Sequence, residues 1–169
     1  AAKNGHKIAQ HNISIMYLNR GDMQNAVYWA EKAAQSGCLE AQYNMFYFYA
    51  QGVGKEKNEA VAFSWLEKSA TGGCKTAQAV LGSIYTGYVR DCYTNYPKDY
   101  QKGIYWLKKA AEQQDVLSMT RLFNVFSMGP TGVRDYSAAV YWLEQAAEYN
   151  DTESQLLLSL VYLDGKYVP

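Results

Sequence analysis

Apolar residues along this chain follow the period of an α-helix, in short segments separated by glycine and polar residues. The segment 22–37, DMQNAVYWAEKAAQSG, shows it most clearly. At about 100° per residue, Ala26, Trp29 and Ala33 form one stripe, and Val27, Ala30 and Ala34 form a second beside it. Together they span an apolar arc of about 160°, wider than a helix resting on a single core surface requires. Such a helix packs against two neighbours. Asp22 is suited to the N-cap, and Gly37 to the left-handed position that closes a helix.

A second kind of helix is predicted at 41–52 and 77–87. It repeats a small residue (Ala9, Ala41, Ala77, Ser118, Ser154) followed by Gln10, Gln42, Gln78 or Gln155, with Met119 in the fourth place. A large aliphatic follows (Ile13, Met45, Leu81, Leu122, Leu158), and four residues later an aromatic (Tyr17, Tyr49, Tyr85, Phe126, Tyr162). These positions cover one side of a helical wheel. The opposite side is free to vary.

The two helices alternate, and the pair recurs. Trp29, Trp65, Trp106 and Trp142 stand 36, 41 and 36 residues apart. Seven residues before each comes Asp22, Asn58, Asp99 or Asp135, and after each a small pair: Ala33-Ala34, Ser69-Ala70, Ala110-Ala111, Ala146-Ala147. A period of this length is the signature of a solenoid, which presents a long surface rather than one deep pocket. The tryptophans are expected to fill the volume between helical pairs. The predicted class is all-α, with the end of a preceding repeat at 1–6, units at about 7–38, 39–74, 75–115 and 116–151, and a partial unit at 152–169. The opening AAKNGHKIAQ aligns with AAQSGCLEAQ, and residues 165–169 fall in an inter-helix loop, so the sequence reads as a fragment of a longer array.

Composition narrows the classes of partner. Net charge is zero over 169 residues, without the basic excess of a nucleic-acid binder and without the charge that draws proteins to anionic membranes. No apolar run approaches the roughly 20 residues that span a bilayer, so direct membrane insertion is not expected. Pro97, Pro130 and Pro169 all fall in predicted linkers. Cys38, Cys74 and Cys92 are too few and too irregular for a disulfide framework; Cys38 and Cys74 read as small buried thiols.

Nothing in the sequence assembles a catalytic site. There are two histidines, His6 and His11, and no HExxH, GxSxG, Walker or CxxC pattern. Gly52-Val53-Gly54 follows a predicted helix rather than a strand, which reads as a loop and not a phosphate cradle. His11 has no second ligand at helical spacing, so it reads as a surface or peptide-contacting histidine. No metal or cofactor is expected. Lys55-Glu56-Lys57 and Lys108-Lys109 read as solvated charge.

The chain resembles the Sel-1-like repeats, relatives of the tetratricopeptide repeats with a longer internal loop. Ala77, Leu81, Gly82, Tyr85, Asp99, Trp106, Ala110 and Ala111 carry the pattern once. Leu122, Phe126, Gly129, Asp135, Ala139, Trp142, Ala146 and Ala147 carry it again. Phe46 and Phe123 replace the helix glycine of the family, and Gly103 replaces an alanine. The resemblance implies a right-handed α-α superhelix and a non-catalytic interaction scaffold or adaptor. Similar proteins serve in signalling, in endoplasmic-reticulum degradation complexes, and in bacterial envelope, virulence or toxin-immunity roles, which implies a bacterial envelope, periplasm or cytoplasm. A cysteine-rich branch has been linked to binding or hydrolysis of β-lactams, with paired cysteines eight residues apart. Those positions here are Ala34 with Gln42 and Ala70 with Gln78, yet hydrolysis of a cell-wall-like or β-lactam substrate stands as the alternative function.

In such a superhelix the variable side of the first helix of each unit lines the concave surface. It carries His11, Ile15 and Leu18, then Tyr43, Tyr47 and Ala50, then Ala79, Ser83 and Thr86. Thr120, Asn124 and Ser127 follow, then Leu156, Leu160 and Leu163, with Asn12, Asn44 and Arg121 flanking. The residues expected to meet a protein or peptide are His11, Asn12, Ile15, Tyr43, Asn44, Tyr47, Arg121, Asn124, Leu156 and Leu160: apolar area beside hydrogen-bond donors. Tyr43 and Tyr47 could equally pack across neighbouring repeats. The final leucines could be covered by further repeats, by a partner or by self-association. Tyr28, Tyr105 and Tyr141, each just before a tryptophan, are expected on the outer side, partly exposed, and the loop 86–98 with Tyr88, Tyr93 and Tyr96 offers an edge contact.

Overall fold

A computed structural model describes residues 2–88, 96–149 and 151–165. Among them are helices and no strands: α1 (Ala2–Asn19), α2 (Met23–Gln35), α3 (Leu39–Gln51), α4 (Glu59–Thr71), α5 (Lys75–Thr86), α6 (Tyr100–Ala111), α7 (Val116–Met128), α8 (Tyr136–Glu148) and α9 (Thr152–Asp164). The fold is all-α, as the periodicity predicts. The opening aligns with the end of one repeat and the start of the next, yet α1 runs unbroken through Gly5; one helical glycine costs only about 1 kcal/mol against alanine.

Short polar side chains begin the second helix of each unit. The carboxylate or amide oxygens of Asp22, Asn58, Asp99 and Asp135 accept the backbone N–H groups of Asn25, Val61, Lys102 and Ala138. Each satisfies a donor that the helix leaves unpaired. The first helices differ. Asp115 and Asp151 cap α7 and α9 through the N–H groups of Ser118 and Ser154, whereas Cys38, in the same register before α3, makes no side-chain cap.

The turn between units repeats the same backbone closure. Cys38, Cys74 and Asp115 donate their N–H groups to the carbonyls of Ala33, Ser69 and Ala110. The residue before each is left-handed: Gly37 at φ 83°, Gly73 at φ 102°, and in the third unit Gln114 at φ 65°. Glycine enters that region without steric cost; glutamine does not.

The chain divides into two compact units, Ala1–Gln78 and Ala79–Pro169, with the division inside α5. In the first, Val27, Ala30, Ala33, Ala34, Cys38, Met45 and Phe48 form a buried cluster between α2 and α3, with Trp65 packed at its margin. In the second, Leu107, Leu122, Phe123, Val125, Phe126 and Leu143 form the corresponding core of α6, α7 and α8, with Trp142 at its margin. The tryptophans are therefore only half-buried. The volume they were expected to fill belongs to the residue after each, Ala30, Leu66, Leu107 and Leu143, all with no exposed surface. An indole is large enough to cross from core to solvent, while the smaller neighbour fits wholly inside.

The third hairpin has its own close contact. A Cβ built on Gly82 in α5 would stand 2.8 Å from the Leu107 nitrogen and 2.9 Å from the Gly103 carbonyl oxygen in α6. Facing glycines let these two backbones meet. At the same register in the first unit the Ser14 hydroxyl donates to the Ala26 carbonyl at 2.7 Å.

Charge is less idle than the sequence implies. Lys55 forms a 2.9 Å ion pair with Glu31 and lies over the Tyr49 ring, so it fastens the loop after α3 back onto α2. Lys108 lies over Phe126.

Candidate functional site

The first unit presents α1 and α3 side by side at their N-terminal halves. The Lys7 ammonium donates to the Gly37 carbonyl at 3.0 Å, and the Glu40 carboxylate lies within electrostatic reach of both Lys7 and His11. Burial pulls the His11 imidazole below its usual value, more than the Glu40 charge lifts it, so His11 is neutral at pH 7. Its Nδ1 is buried without a hydrogen-bond partner, as is Nδ2 of Asn44. Both atoms are sealed from solvent. They belong to the packing between helices and are not open contacts for a ligand.

The remaining predicted residues of this unit divide by exposure. Asn12 is exposed and Ile15 half-buried. Tyr43 is half-buried, its ring 5.8 Å from Phe46, and burial raises its hydroxyl pKa. Tyr47 is 50% exposed, packed edge-on against Phe48. Tyr43 is thus partly structural, and Tyr47 is the aromatic that reaches outward. Ala50 is buried and drops out of the variable surface.

The expected surface also fails on α5. Ala79, Ser83 and Thr86 are buried. The Ser83 hydroxyl turns back to the Ala79 carbonyl and the Thr86 hydroxyl to the Gly82 carbonyl, and the Thr86 methyl packs on Gly103. Sequence register placed these residues on a free side; the close α5–α6 approach encloses Thr86, and Ala79 and Ser83 are buried beside it. Ser127 of α7 is buried as well, its hydroxyl on the Phe123 carbonyl.

The second unit holds a concave surface. A hollow of about 480 Å³ lies between the N-terminal turns of α7 and α9, flanked by Leu117, Thr120, Asn124 and Glu153. A second, of about 500 Å³, lies between their C-terminal turns against Phe123, Met128, Leu157 and Leu160. Asn124 and Leu157 line both, so the two form one groove with α7 and α9 running in the same direction. Of the predicted residues, Asn124 and Leu160 line this groove. Leu156, 63% exposed, does not line it. Arg121 is half-buried toward Tyr88 and Asp115, where burial lowers its pKa while leaving it charged.

Sequence reasoning missed Phe123, Met128, Glu153 and Leu157. Leu157 was legible, since it shares the register of Asn44 and Arg121. Met128 stands just beyond the repeating positions of α7, where no pattern marks it. Cys38 is buried and its thiol pKa raised by burial, while Cys74 is only half-buried; Cys92 and Tyr93 lie outside the described residues. Tyr28, Tyr105 and Tyr141 are about half exposed, each edge-on to its tryptophan.

The recurring glutamines have a role that their position alone did not disclose. The side-chain N–H of Gln42, Gln78 and Gln155 donates to the carbonyl eight residues earlier, in Ala34, Ala70 and Ala147. Each ties a first helix to the open end of the helix before it. Among the described residues no cluster of three or more His, Cys, Asp or Glu side chains could hold a metal, and no helix is long and apolar enough to cross a membrane.

The Sel1 repeat model matches residues 7–38, 39–74, 76–115, 116–151 and 152–169. No curated protein matches the chain. Among solved structures, a Sel1 repeat protein from Oxalobacter formigenes superposes with a TM-score of 0.79 at 24% identity, over 99% of this chain and 68% of that one. A protective antigen of uropathogenic Escherichia coli with the same repeat fold matches at a TM-score of 0.47 and 24% identity, over 96% of this chain and 43% of that one.

Proposed function

Because the chain belongs to the Sel1 repeat family, we propose that it is a non-catalytic scaffold that binds a protein or peptide through the variable sides of its first helices. The family's repeats typically mediate protein–protein interaction. The observation that carries the reading for this chain is a contrast within those helices. Met45, Leu81 and Leu122, at one repeating position, have no exposed surface, whereas Tyr47 and Leu160, at one variable position, are 50% and 53% exposed. Packing encloses the first set and leaves about half of each side chain in the second in solvent. Large apolar side chains at a water boundary are what a partner surface uses.

The contact residues in this reading are Asn12, Ile15, Tyr43 and Tyr47 on the first unit, and Asn124, Leu156 and Leu160 on the second. His11, Asn44 and Arg121 support them from the half-buried layer beneath. Replacing Tyr43 and Tyr47 together by alanine is expected to weaken a partner recovered by affinity purification about tenfold or more, with circular dichroism unchanged. Full retention of that partner by the double variant sinks the first-unit assignment. A bacterial envelope, virulence or toxin-immunity setting is the narrower form of the proposal, and an adjacent toxin or secretion gene tests it. The hydrolase alternative falls if the purified chain turns over no β-lactam or cell-wall fragment.

A further inference from the structure

The groove between α7 and α9 is charged at one end only. Glu153 stands at the hollow formed by the N-terminal turns, beside Asp151, whose carboxylate is already held by the N–H and hydroxyl of Ser154. Glu153 makes no ion pair or hydrogen bond among the described residues. No lysine or arginine lines either hollow, since Arg121, the one cation on α7, turns toward Tyr88 and Asp115. The far end is apolar: Phe123, Met128, Leu157 and Leu160, with Met128 65% exposed. Asn124, between the ends, offers a side-chain amide to both hollows.

Register separates this groove from the side of α9 that an adjoining second helix would cover. Tyr162 is 48% exposed, while its counterparts Tyr85 and Phe126, in first helices followed by a second helix, are 9% and 8% exposed. Tyr162 thus marks the hairpin side of α9. Leu157 and Leu160 line the groove together with residues of α7.

Resting on the scaffold reading, we infer that this groove selects an extended segment of a partner protein that carries a basic residue followed, or preceded, by a large aliphatic residue. The cation sits beside Glu153 and the aliphatic side chain enters the Phe123–Met128–Leu160 hollow. The separation follows from the helix. Thr120 and Met128 are eight residues apart, about 12 Å at 1.5 Å per residue, and an extended chain covers that in three to four residues. Asn124 pairs with the backbone between the two anchors, as a two-sided amide is able to do. The carboxylate adds orientation and rate of encounter more than affinity, and the aliphatic pocket supplies most of the binding.

The test is an array of fluorescein-labelled peptides in a Gly/Ser/Thr background, each with one Arg and one Leu separated by one to six residues in either order. A matched array carries Glu in place of Arg, and another Ala in place of Leu. Binding to the full 169-residue chain is read by fluorescence anisotropy at low salt. The expected optimum is a separation of three to four, with at least a fivefold loss for Glu and at least a tenfold loss for Ala. Leu160→Asp is expected to abolish the preference, and Glu153→Arg to remove the advantage of Arg over Glu. The Glu-peptide comparison uses the unaltered protein, so it stands even if a variant misfolds. Equal binding of Arg and Glu peptides overturns the proposal. So does binding lost in Tyr43→Ala/Tyr47→Ala and kept in Leu160→Asp, although the scaffold reading then survives. A concentration-dependent dimer in sedimentation that Leu160→Asp converts to monomer also overturns it, by assigning the groove to a second copy of this chain.

Discussion

Gln114 is a residue out of place. It holds the left-handed position that Gly37 and Gly73 occupy in the first two units, at φ 65°. A non-glycine residue there carries a steric cost of about 1–2 kcal/mol, partly offset because glycine gives the unfolded chain more freedom. Gln114→Gly is expected to stabilise the chain by about 0.5–1 kcal/mol, seen as a higher urea midpoint with an unchanged slope. His11 acts through pH. Its folded pKa lies below the ordinary 6.5, so the unfolded chain takes up the proton first and stability falls as pH drops through 6.5 toward the folded value. His11→Gln should flatten the stability profile on the acid side of pH 7. A profile as steep as the parent's would mean that another group carries the dependence.

At the scale of the element, the caps were legible and the ties between elements were not. Asp22 and its three counterparts announce helix starts because a short acceptor three residues before an N–H is a local matter. The glutamines recur just as faithfully, but their acceptor is a carbonyl eight residues back across a turn, and only the turn's geometry brings it near. Gln42→Met, which copies what Met119 does in the fourth unit, removes one buried hydrogen bond, while the Ala34 carbonyl keeps the Gly37 N–H. It is expected to cost about 0.5–1.5 kcal/mol by urea titration. The misread side of α5 has a similar cause. A helical wheel ranks Ser83 and Thr86 as small and polar, hence outward, yet both are buried: Thr86 packs on Gly103 of the next helix, and the Ser83 hydroxyl is satisfied by the Ala79 carbonyl of its own helix. The tryptophans mislead in the opposite sense. They are the most visible letters of the repeat and lie at the margins of the cores, while the less conspicuous Leu66, Leu107 and Leu143 fill them.

For the whole molecule, the fold was readable because five repeats say the same thing, and the site was less so because function lies where they disagree. Tyr47, Asn124 and Leu160 share a register and nothing else, so no pattern within the chain ranks them. A repeat array also localises damage, since stability is close to a sum over units and their nearest contacts. Gly82→Ala puts a methyl within 2.9 Å of backbone atoms that cannot rotate away, and the resulting strain exceeds the roughly 1 kcal/mol that alanine adds in helix propensity. The expected net loss is about 1–2 kcal/mol. By hydrogen exchange it should fall on α5 and α6 well before α2 and α3. Uniform loss along the chain would mean that the two compact units unfold as one.

The facing pair of Gly82 and Gly103 also says how such a chain can be cut and rejoined. The small-residue contact is settled separately inside each hairpin: glycine on glycine in the third, serine hydroxyl on alanine carbonyl in the first. A crossover in the inter-helix loop would marry Phe46 or Phe123 to a second helix shaped for glycine, and the backbones could not close. A crossover at Cys38, Cys74 or Asp115 keeps each matched pair intact, and beyond Cys38 and Cys74 the glutamine still finds an alanine carbonyl across the join. The unit of inheritance in this protein is the whole hairpin, and grafts that respect it are the ones expected to fold.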